Sequence, residues 1–375
     1  MAKAISIEAQ QESFFAPSGL KEESRFLADR FVEPPFTVYD AKQRRWQDRK
    51  RAWAAVFGLQ SELGRGASAN TVGSPLPAGR GYNPAPGGSA RPAATLGADG
   101  HTVRGGGDAR AFHISEWRAD HTDDNQPVDT SIFDPVLTET MYVGFCPPGG
   151  TILDPFAGGS VRGMVAALLG RKYVGFELRQ EQIDANREQW RRVREHQENI
   201  GKGTIFDSYR PWPEPDWICA DSQMLSVTLS ALHPGLLADT IFSCPPYFEL
   251  EVYSNDPRDL STMDWAGFQT AYKWIIKQAA QWLRPDAFAV WITGDIRDKK
   301  TGIYRNFSYG LTVDAFAEAG LGLYNQAVLL TSISSASLRA PKQYVASRKF
   351  VKTHQDILVF AKGDPFKAAK RLSEE

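Results

Sequence analysis

The feature that most constrains this chain is a glycine loop set between a short apolar run and a helix-forming run. Thr151-Ile-Leu leads into Asp154-Pro-Phe-Ala-Gly-Gly-Ser160, and residues 161–169 then repeat apolar side chains at helical spacing. A buried strand that feeds a glycine turn and then a helix is the first half of a βαβ unit. Such a unit requires a parallel neighbouring strand. The rest of the chain from Ile132 onward continues the alternation. Helices are predicted over Pro135–Phe145, from Gln180, over 264–283 and over 311–319. Strands are predicted at 173–177, 217–219, 240–243, 287–293, 324–330 and 356–360. The expected fold class is α/β: an open, mostly parallel twisted sheet closed by a C-terminal antiparallel hairpin.

Three segments are expected. Residues 1–65 read as a helical N-terminal extension, with a turn at Pro34-Pro-Phe36. Its second helix carries Arg44, Arg45, Arg49, Lys50 and Arg51 among Trp46, Trp53 and Phe57. Residues 66–112 are rich in Gly, Pro, Ala and Ser and poor in large apolar side chains. Burial there cannot offset ordering entropy, so a flexible linker or loop is expected. Residues 113–375 form the expected catalytic domain. The three cysteines, Cys146, Cys219 and Cys244, have neither disulfide-framework nor zinc-site spacing, and no metal is expected. No apolar run is long enough to span a bilayer and no leader is apparent, so a cytoplasmic protein with no membrane partner is expected. A formal net charge of −1 leaves no global footprint for nucleic acid, so such binding would rest on local basic patches.

The glycine loop falls at the C-terminal end of the sheet, where open α/β folds bind ligands. Glycine lets backbone approach a ligand, and the following helix start offers unpaired N–H groups. Glu177 ends the next strand, about twenty residues on, where an acid can bind ribose hydroxyls. Asp221 follows the third strand, placed to meet an adenine amino group. The loop is neither GxGxxG nor GxxxxGK[ST], which argues against dinucleotide and ATP sites.

Asp154-Pro-Phe-Ala-Gly together with Cys244-Pro-Pro-Tyr247 resembles the DNA amino-methyltransferases, whose motifs read DPFxGSG and (D/N/S)PPY. The resemblance spans residues 130–362, including Ser131-Ile-Phe-Asp-Pro-Val-Leu and His354-Gln-Asp-Ile-Leu-Val-Phe. Ser160 stands where that family more often has glycine. The whole chain is also similar to phage-type methyltransferases, which would place it in a bacterial or phage-infected cell. The resemblance implies a Rossmann-like class I methyltransferase fold and S-adenosylmethionine as cofactor. Asp154, Phe156, Ala157, Gly158, Glu177 and Asp221 would contact it. It further implies double-stranded DNA as partner and a base flipped out of the duplex, with Pro245 and Pro246 shaping the turn and Tyr247 stacking on the base.

The family's loop holds an exocyclic amine with the first proline carbonyl and the preceding polar side chain. Here that side chain is Cys244, and a thiol is a weak acceptor. A thiolate is instead a strong nucleophile, as methylation of cytosine at carbon 5 requires, and Glu249 or Glu251 could supply the accompanying acid. Carbon-5 methylation through Cys244 is therefore expected first. Methylation of an exocyclic amine (N4 of cytosine, N6 of adenine) is the alternative, with Cys244 a small packed residue and Ser243 or backbone holding the amine. An RNA methyltransferase and a catalytically silent DNA-binding protein are the further alternatives. Cys146 and Cys219 are expected to pack rather than react.

Three segments after the catalytic motif suit contact with DNA. Residues 253–264 could close over the base. Lys299, Lys300 and Arg305 lie in a basic loop. Arg339, Lys342, Arg348, Lys349 and Lys352 alternate with Tyr344 and Phe350, mixing charge with stacking groups. The helix around Arg44 to Trp53 is a fourth candidate. The sequence carries no signal for oligomeric state.

Overall fold

The computed structural model describes residues 31–57, 133–201, 212–331 and 336–373. The expected linker at 66–112 and the outer parts of the N-terminal extension lie outside the described residues. Among the described residues eight strands form one sheet: β1 (Val38–Asp40), β2 (Thr151–Asp154), β3 (Lys172–Glu177), β4 (Asp216–Cys219), β5 (Ala238–Ser243), β6 (Leu283–Thr293), β7 (Leu321–Leu330) and β8 (His354–Lys362). Their order across the sheet is β1-β7-β8-β6-β5-β2-β3-β4. The pairs β2–β3, β2–β5, β3–β4, β5–β6 and β1–β7 are parallel. Of these described strands β8 alone runs the other way, and it pairs antiparallel with both β6 and β7. This is the mostly parallel, Rossmann-like α/β arrangement expected from the alternation of strands and helices.

The antiparallel pair near the C-terminal end forms as expected, β7 against β8, but β8 lies inside the sheet between β6 and β7, and the chain reaches it through a helix at Ala336–Ser347 that the periodicity did not suggest. The N-terminal extension needs correction, since it is not wholly helical. Residues after Pro34-Pro35 form the edge strand β1, with Val38 opposite Val328 and Asp40 opposite Leu330. Three residues are too few to show a period of two, and the strand exists because β7 offers it a free edge.

Alternation along the strands sorts side chains onto two cores, one on each face. Ile152, Tyr173, Trp217, Phe242, Phe288, Val290, Ile292 and Val359 point to one face. There they meet α1 (Arg44–Phe57), α2 (Pro135–Phe145), α3 (Val161–Leu168) and α4 (Gln180–Gly201). Their neighbours Leu153, Val174, Ile218, Ile241, Ala289, Trp291 and Leu358 point to the other. That face is covered by α5 (Leu225–Leu232), α6 (Trp265–Trp282) and α7 (Val313–Glu318). Strands buried on both faces carry the continuous apolar runs of parallel sheets. Among the described residues no helix is long and apolar enough to cross a membrane.

Helix α1 docks its basic-aromatic face on α2. Trp53 donates its indole N–H to Glu139 at 2.8 Å, Arg49 Nε donates to the same carboxylate at 2.6 Å, and Lys50 pairs with Asp134 at 3.0 Å. Trp46 donates to Asp134 at 3.2 Å. Arg49, Lys50 and the two tryptophans, which the sequence offered to DNA, thus anchor the extension instead. A helix face of Trp and Arg reads the same whether its anion is a phosphate or an internal carboxylate.

Gly163 lets α3 lie close to the sheet. A Cβ there would stand 2.6 Å from the Trp217 ring and 3.1 Å from Tyr173. Alanine in place of glycine gains about 1 kcal/mol of helix propensity, but the obstacles are rigid ring atoms in a packed core. Gly163→Ala is expected to destabilise the protein by about 1–3 kcal/mol, seen as a lower urea midpoint with an unchanged slope.

Candidate active site

Neighbours β2 and β5 lead away from each other: the chain leaves β2 toward β3 and β4, and leaves β5 toward β6. The crevice at their C-terminal ends is the topological switch point of the sheet, where open α/β folds place ligands. Asp154 ends β2 and Ser243 ends β5, and the Ser243 hydroxyl donates to Asp154 at 2.6 Å. The glycine loop and the Cys-Pro-Pro-Tyr turn are thereby fastened to each other.

Asp154 is fully buried. Its carboxylate also accepts the Tyr173 hydroxyl at 2.8 Å and the Phe156 N–H at 3.1 Å, and it pairs with Arg162 Nε at 3.0 Å. Arg162, itself buried, reaches the carbonyls of Phe156 and Ala157. Phe156 packs against Tyr272 and Trp291, at ring distances of 6.5 and 5.9 Å. Ala157 is buried and gives its N–H to Phe176. Of the predicted cofactor residues, these three shape the loop from beneath. Gly158 stays half-buried with φ +52°, a left-handed conformation that favours glycine. Among the described residues only Arg162 Nη2, at 3.7 Å, lies within 4 Å of where its Cβ would be.

Glu177 and Asp221 follow at the ends of β3 and β4. Burial raises the Glu177 carboxyl above its usual range, although Arg179 opposes this with a backbone N–H at 3.0 Å and a guanidinium at 3.4 Å. Asp221 accepts the Gln223 N–H at 2.8 Å and caps a short 3₁₀ turn at Ser222–Met224. Ser222 ties that turn to the glycine loop by donating to the Pro155 carbonyl at 2.6 Å. Gly158, Glu177 and Asp221 therefore line consecutive strand ends β2, β3 and β4.

Cys244 is half-buried and follows β5 directly. Burial pushes its thiol up to about 11, against the lowering influence of the Arg162 charge and a hydrogen bond with Tyr247. Tyr247 is half-buried, its hydroxyl accepts from Gln355 at 3.1 Å, and its ring meets Phe307 edge-on at 6.3 Å. Pro245 is buried and Pro246 half-buried. The two glutamates differ. Glu251 accepts the Tyr253 hydroxyl at 2.8 Å and adds to the upward push on Cys244. Glu249 lies 3.8 Å from Lys299, which donates to the Glu249 carbonyl at 2.6 Å.

The predicted nucleic-acid residues separate into two groups. Arg305 is engaged inside the protein: its guanidinium lies 4.7 Å from the Trp265 ring and 5.1 Å from Phe248, and it pairs with Asp298 at 2.5 Å. Lys299 is tied to the Glu249 carbonyl just after the Cys-Pro-Pro-Tyr turn, and Lys349 is half-buried with its ammonium against Gly302. Lys300, Arg339, Lys342 and Arg348 are exposed, Arg339 and Lys342 on the Ala336–Ser347 helix. Exposed Tyr344 and Phe350 stack on each other at 5.7 Å. Residues 253–264 are braced around buried Asp259, which accepts Ser254 Oγ at 2.8 Å and the Ser261 N–H at 2.9 Å. Asp259 also contributes to raising Glu177, which places this segment on the Glu177 side.

Sequence reasoning overlooked Arg162 and Gln355 as parts of the site, and offered Lys352 only as a DNA contact within a basic segment. Arg162 did carry a signal, a lone charge in the apolar run Val161-Arg-Gly-Met-Val165. Gln355 carried none beyond its motif and Lys352 none beyond its basic segment, because only the inversion of β8 brings them here. Among the described residues no group of three metal-ligating side chains occurs.

The sequence model of a DNA methylase family, of N6 and N4 type, matches residues 136–188, a stretch that holds the glycine loop but not the Cys-Pro-Pro-Tyr turn. Among solved structures, TrmN from Thermus thermophilus is 15% identical with a TM-score of 0.37, the match covering 61% of this chain and 49% of that one. This chain thus spans about half the length of that protein. A SAM-dependent methyltransferase from Methanosarcina mazei is 12% identical with a TM-score of 0.34, covering 58% of this chain and 95% of that one. The N-methyltransferase NodS from Bradyrhizobium japonicum is 11% identical with a TM-score of 0.33, covering 61% and 92%.

A carboxyl whose folded value is raised contributes stability below its unfolded value, near 4.5 for Glu177, and loses it as pH climbs. In ligand-free protein, Glu177→Gln is therefore expected to melt higher than wild type at neutral pH, with the gap narrowing as pH falls to about 4. Thermal scans across that range check the sign.

Proposed function

We propose that this chain is an S-adenosylmethionine-dependent DNA methyltransferase that methylates the exocyclic amine of an extruded base. The observation that carries the reading is the Ser243–Asp154 hydrogen bond of 2.6 Å, which seats a Cys-Pro-Pro-Tyr turn beside a glycine loop at the switch point of the sheet. A donor of a methyl group and its acceptor would meet across that joint. The DNA methylase match over residues 136–188 supports DNA as the substrate and an amine as the target.

The strand ends fit the cofactor. Gly158 offers backbone in a left-handed turn whose carbonyl Asn186 holds at 2.8 Å, Glu177 suits ribose hydroxyls, and Asp221 suits an adenine amino group, while Asp154, Phe156 and Ala157 hold the loop in shape. When bound, the cofactor supplies an electrophilic methyl group. The chain's own residues would present the nucleophile. Tyr247, fixed by Gln355, provides the stacking face for the base. The Pro245 carbonyl would accept one hydrogen of the amine and leave the nitrogen lone pair directed outward.

An amine is favoured over carbon 5 because the Cys244 thiol, pushed up to about 11, stays protonated at neutral pH. Of the two carboxylates that could assist it, Glu251 is shared with Tyr253 and Glu249 faces Lys299. Carbon-5 methylation is the second reading. It draws support from the sulfur's place in the same turn as Tyr247, with the buried Arg162 guanidinium lowering its value.

Mass spectrometry of nucleosides from duplex DNA, single-stranded DNA and RNA incubated with enzyme and cofactor separates these readings. N4-methylcytosine or N6-methyladenine in duplex DNA is expected, with Cys244→Ser keeping activity within about tenfold of wild type. 5-Methylcytosine that vanishes in Cys244→Ser would transfer the assignment to carbon 5. Methyl groups found in RNA alone would overturn the choice of DNA.

A further inference from the structure

Because β8 runs against the other strands, the residues that enter it arrive at the C-terminal end of β6, on the edge that holds the catalytic turn. Gly294 follows β6 directly. A Cβ there would stand 2.7 Å from the Lys352 ammonium nitrogen and 3.8 Å from Tyr247 Cε1. The amine and the phenol ring thus flank one glycine, whose missing side chain makes room for the amine.

The surroundings are polar and incompletely satisfied. Lys352 Nζ lies 3.5 Å from Asp356, a loose contact for an ammonium and carboxylate, and Asp356 is its partner among the described residues. Asp356 is buried and sits opposite Thr293 in the ladder. The hydroxyls of Thr293 and of Ser308, at the start of the π-helical turn Phe307–Thr312, are buried without a hydrogen-bond partner. Buried polar groups are normally paired, so orphaned ones on the residues next to Gly294 and Phe307, both of which lie against Tyr247, point to a polar ligand.

We propose that Lys352, held by Asp356, is a specificity-determining residue that donates a hydrogen bond to the extruded base stacked on Tyr247. This rests on the methyltransferase reading above. The acceptor would be the ring nitrogen beside the exocyclic amine, N3 of cytosine or N1 of adenine. Guanine carries a hydrogen on the corresponding nitrogen and would be rejected. A phosphate is the poorer partner. Lys352 is three-quarters buried and its charge is already countered by Asp356, so it offers an oriented donor rather than a free positive charge.

The test is steady-state methylation of duplex DNA by Lys352→Met, which keeps the unbranched stem and removes the ammonium, and by Gly294→Ala. The added methyl group in the second variant evicts the ammonium while leaving Lys352 and Tyr247 in place. Both variants are expected to raise KM for DNA at least about tenfold, with kcat within about threefold. Cofactor affinity by calorimetry and the salt dependence of kcat/KM should match wild type. An unchanged KM, lost cofactor binding, or a salt slope reduced by about one phosphate contact would each overturn the proposal. Wild-type enzyme that methylates no base would defeat the methyltransferase reading and this inference with it. An active wild type alongside unaffected variants defeats only the role given to Lys352.

Discussion

Asp154 is a fully buried carboxylate at the end of the second strand, and four groups converge on it: the Arg162 guanidinium, the Tyr173 and Ser243 hydroxyls and the Phe156 N–H. A charge taken out of water is tolerable only when it is paired and hydrogen-bonded, and removing one partner of such a pair costs about 3–5 kcal/mol. Here the pairing also sets geometry. Arg162 extends from the carboxylate to the Phe156 and Ala157 carbonyls, which fixes the path of the chain into Gly158. Ser243 extends it to the residue before Cys244. Two loops some 89 positions apart in sequence are thereby set in register by one side chain.

The second device is the inverted strand. A purely parallel sheet would present only residues that follow strands at its C-terminal edge. By running β8 backwards between β6 and β7, the fold also delivers residues that precede a strand. Gln355 then holds the Tyr247 hydroxyl, and Lys352 lies against Gly294. The aromatic platform is thus supported from a segment more than a hundred residues downstream, 108 positions by the Gln355–Tyr247 bond. The short edge strand β1 covers β7, whose free edge would otherwise invite pairing with another chain.

Charge is used sparingly. Arg49, Lys50, Arg162 and Arg305 are spent on internal carboxylates, carbonyls or rings, which leaves Arg44, Arg51, Lys299, Lys300, Arg339, Lys342 and Arg348 exposed among the candidates. For the proposed DNA substrate this means that phosphate contacts come from a few positions. The net charge of −1 then supplies little non-specific attraction.

Periodicity and turn chemistry were enough to read α2, the glycine loop, α3, the strands of the parallel sheet and Asp264 as the start of α6, because each of these is a local pattern. The Cys-Pro-Pro-Tyr turn and the acids at 177 and 221 were legible for the same reason. The sequence could not show that Asp154 and Phe156 face inward, since a carboxylate near a glycine loop looks alike whether it meets a ligand or an arginine. Nor could it show that β8 is central, that three residues near the amino terminus make a strand, or that Arg305 stacks on Trp265. Those outcomes depend on which partners lie across the sheet, and burial, not composition, decided what became of each charge.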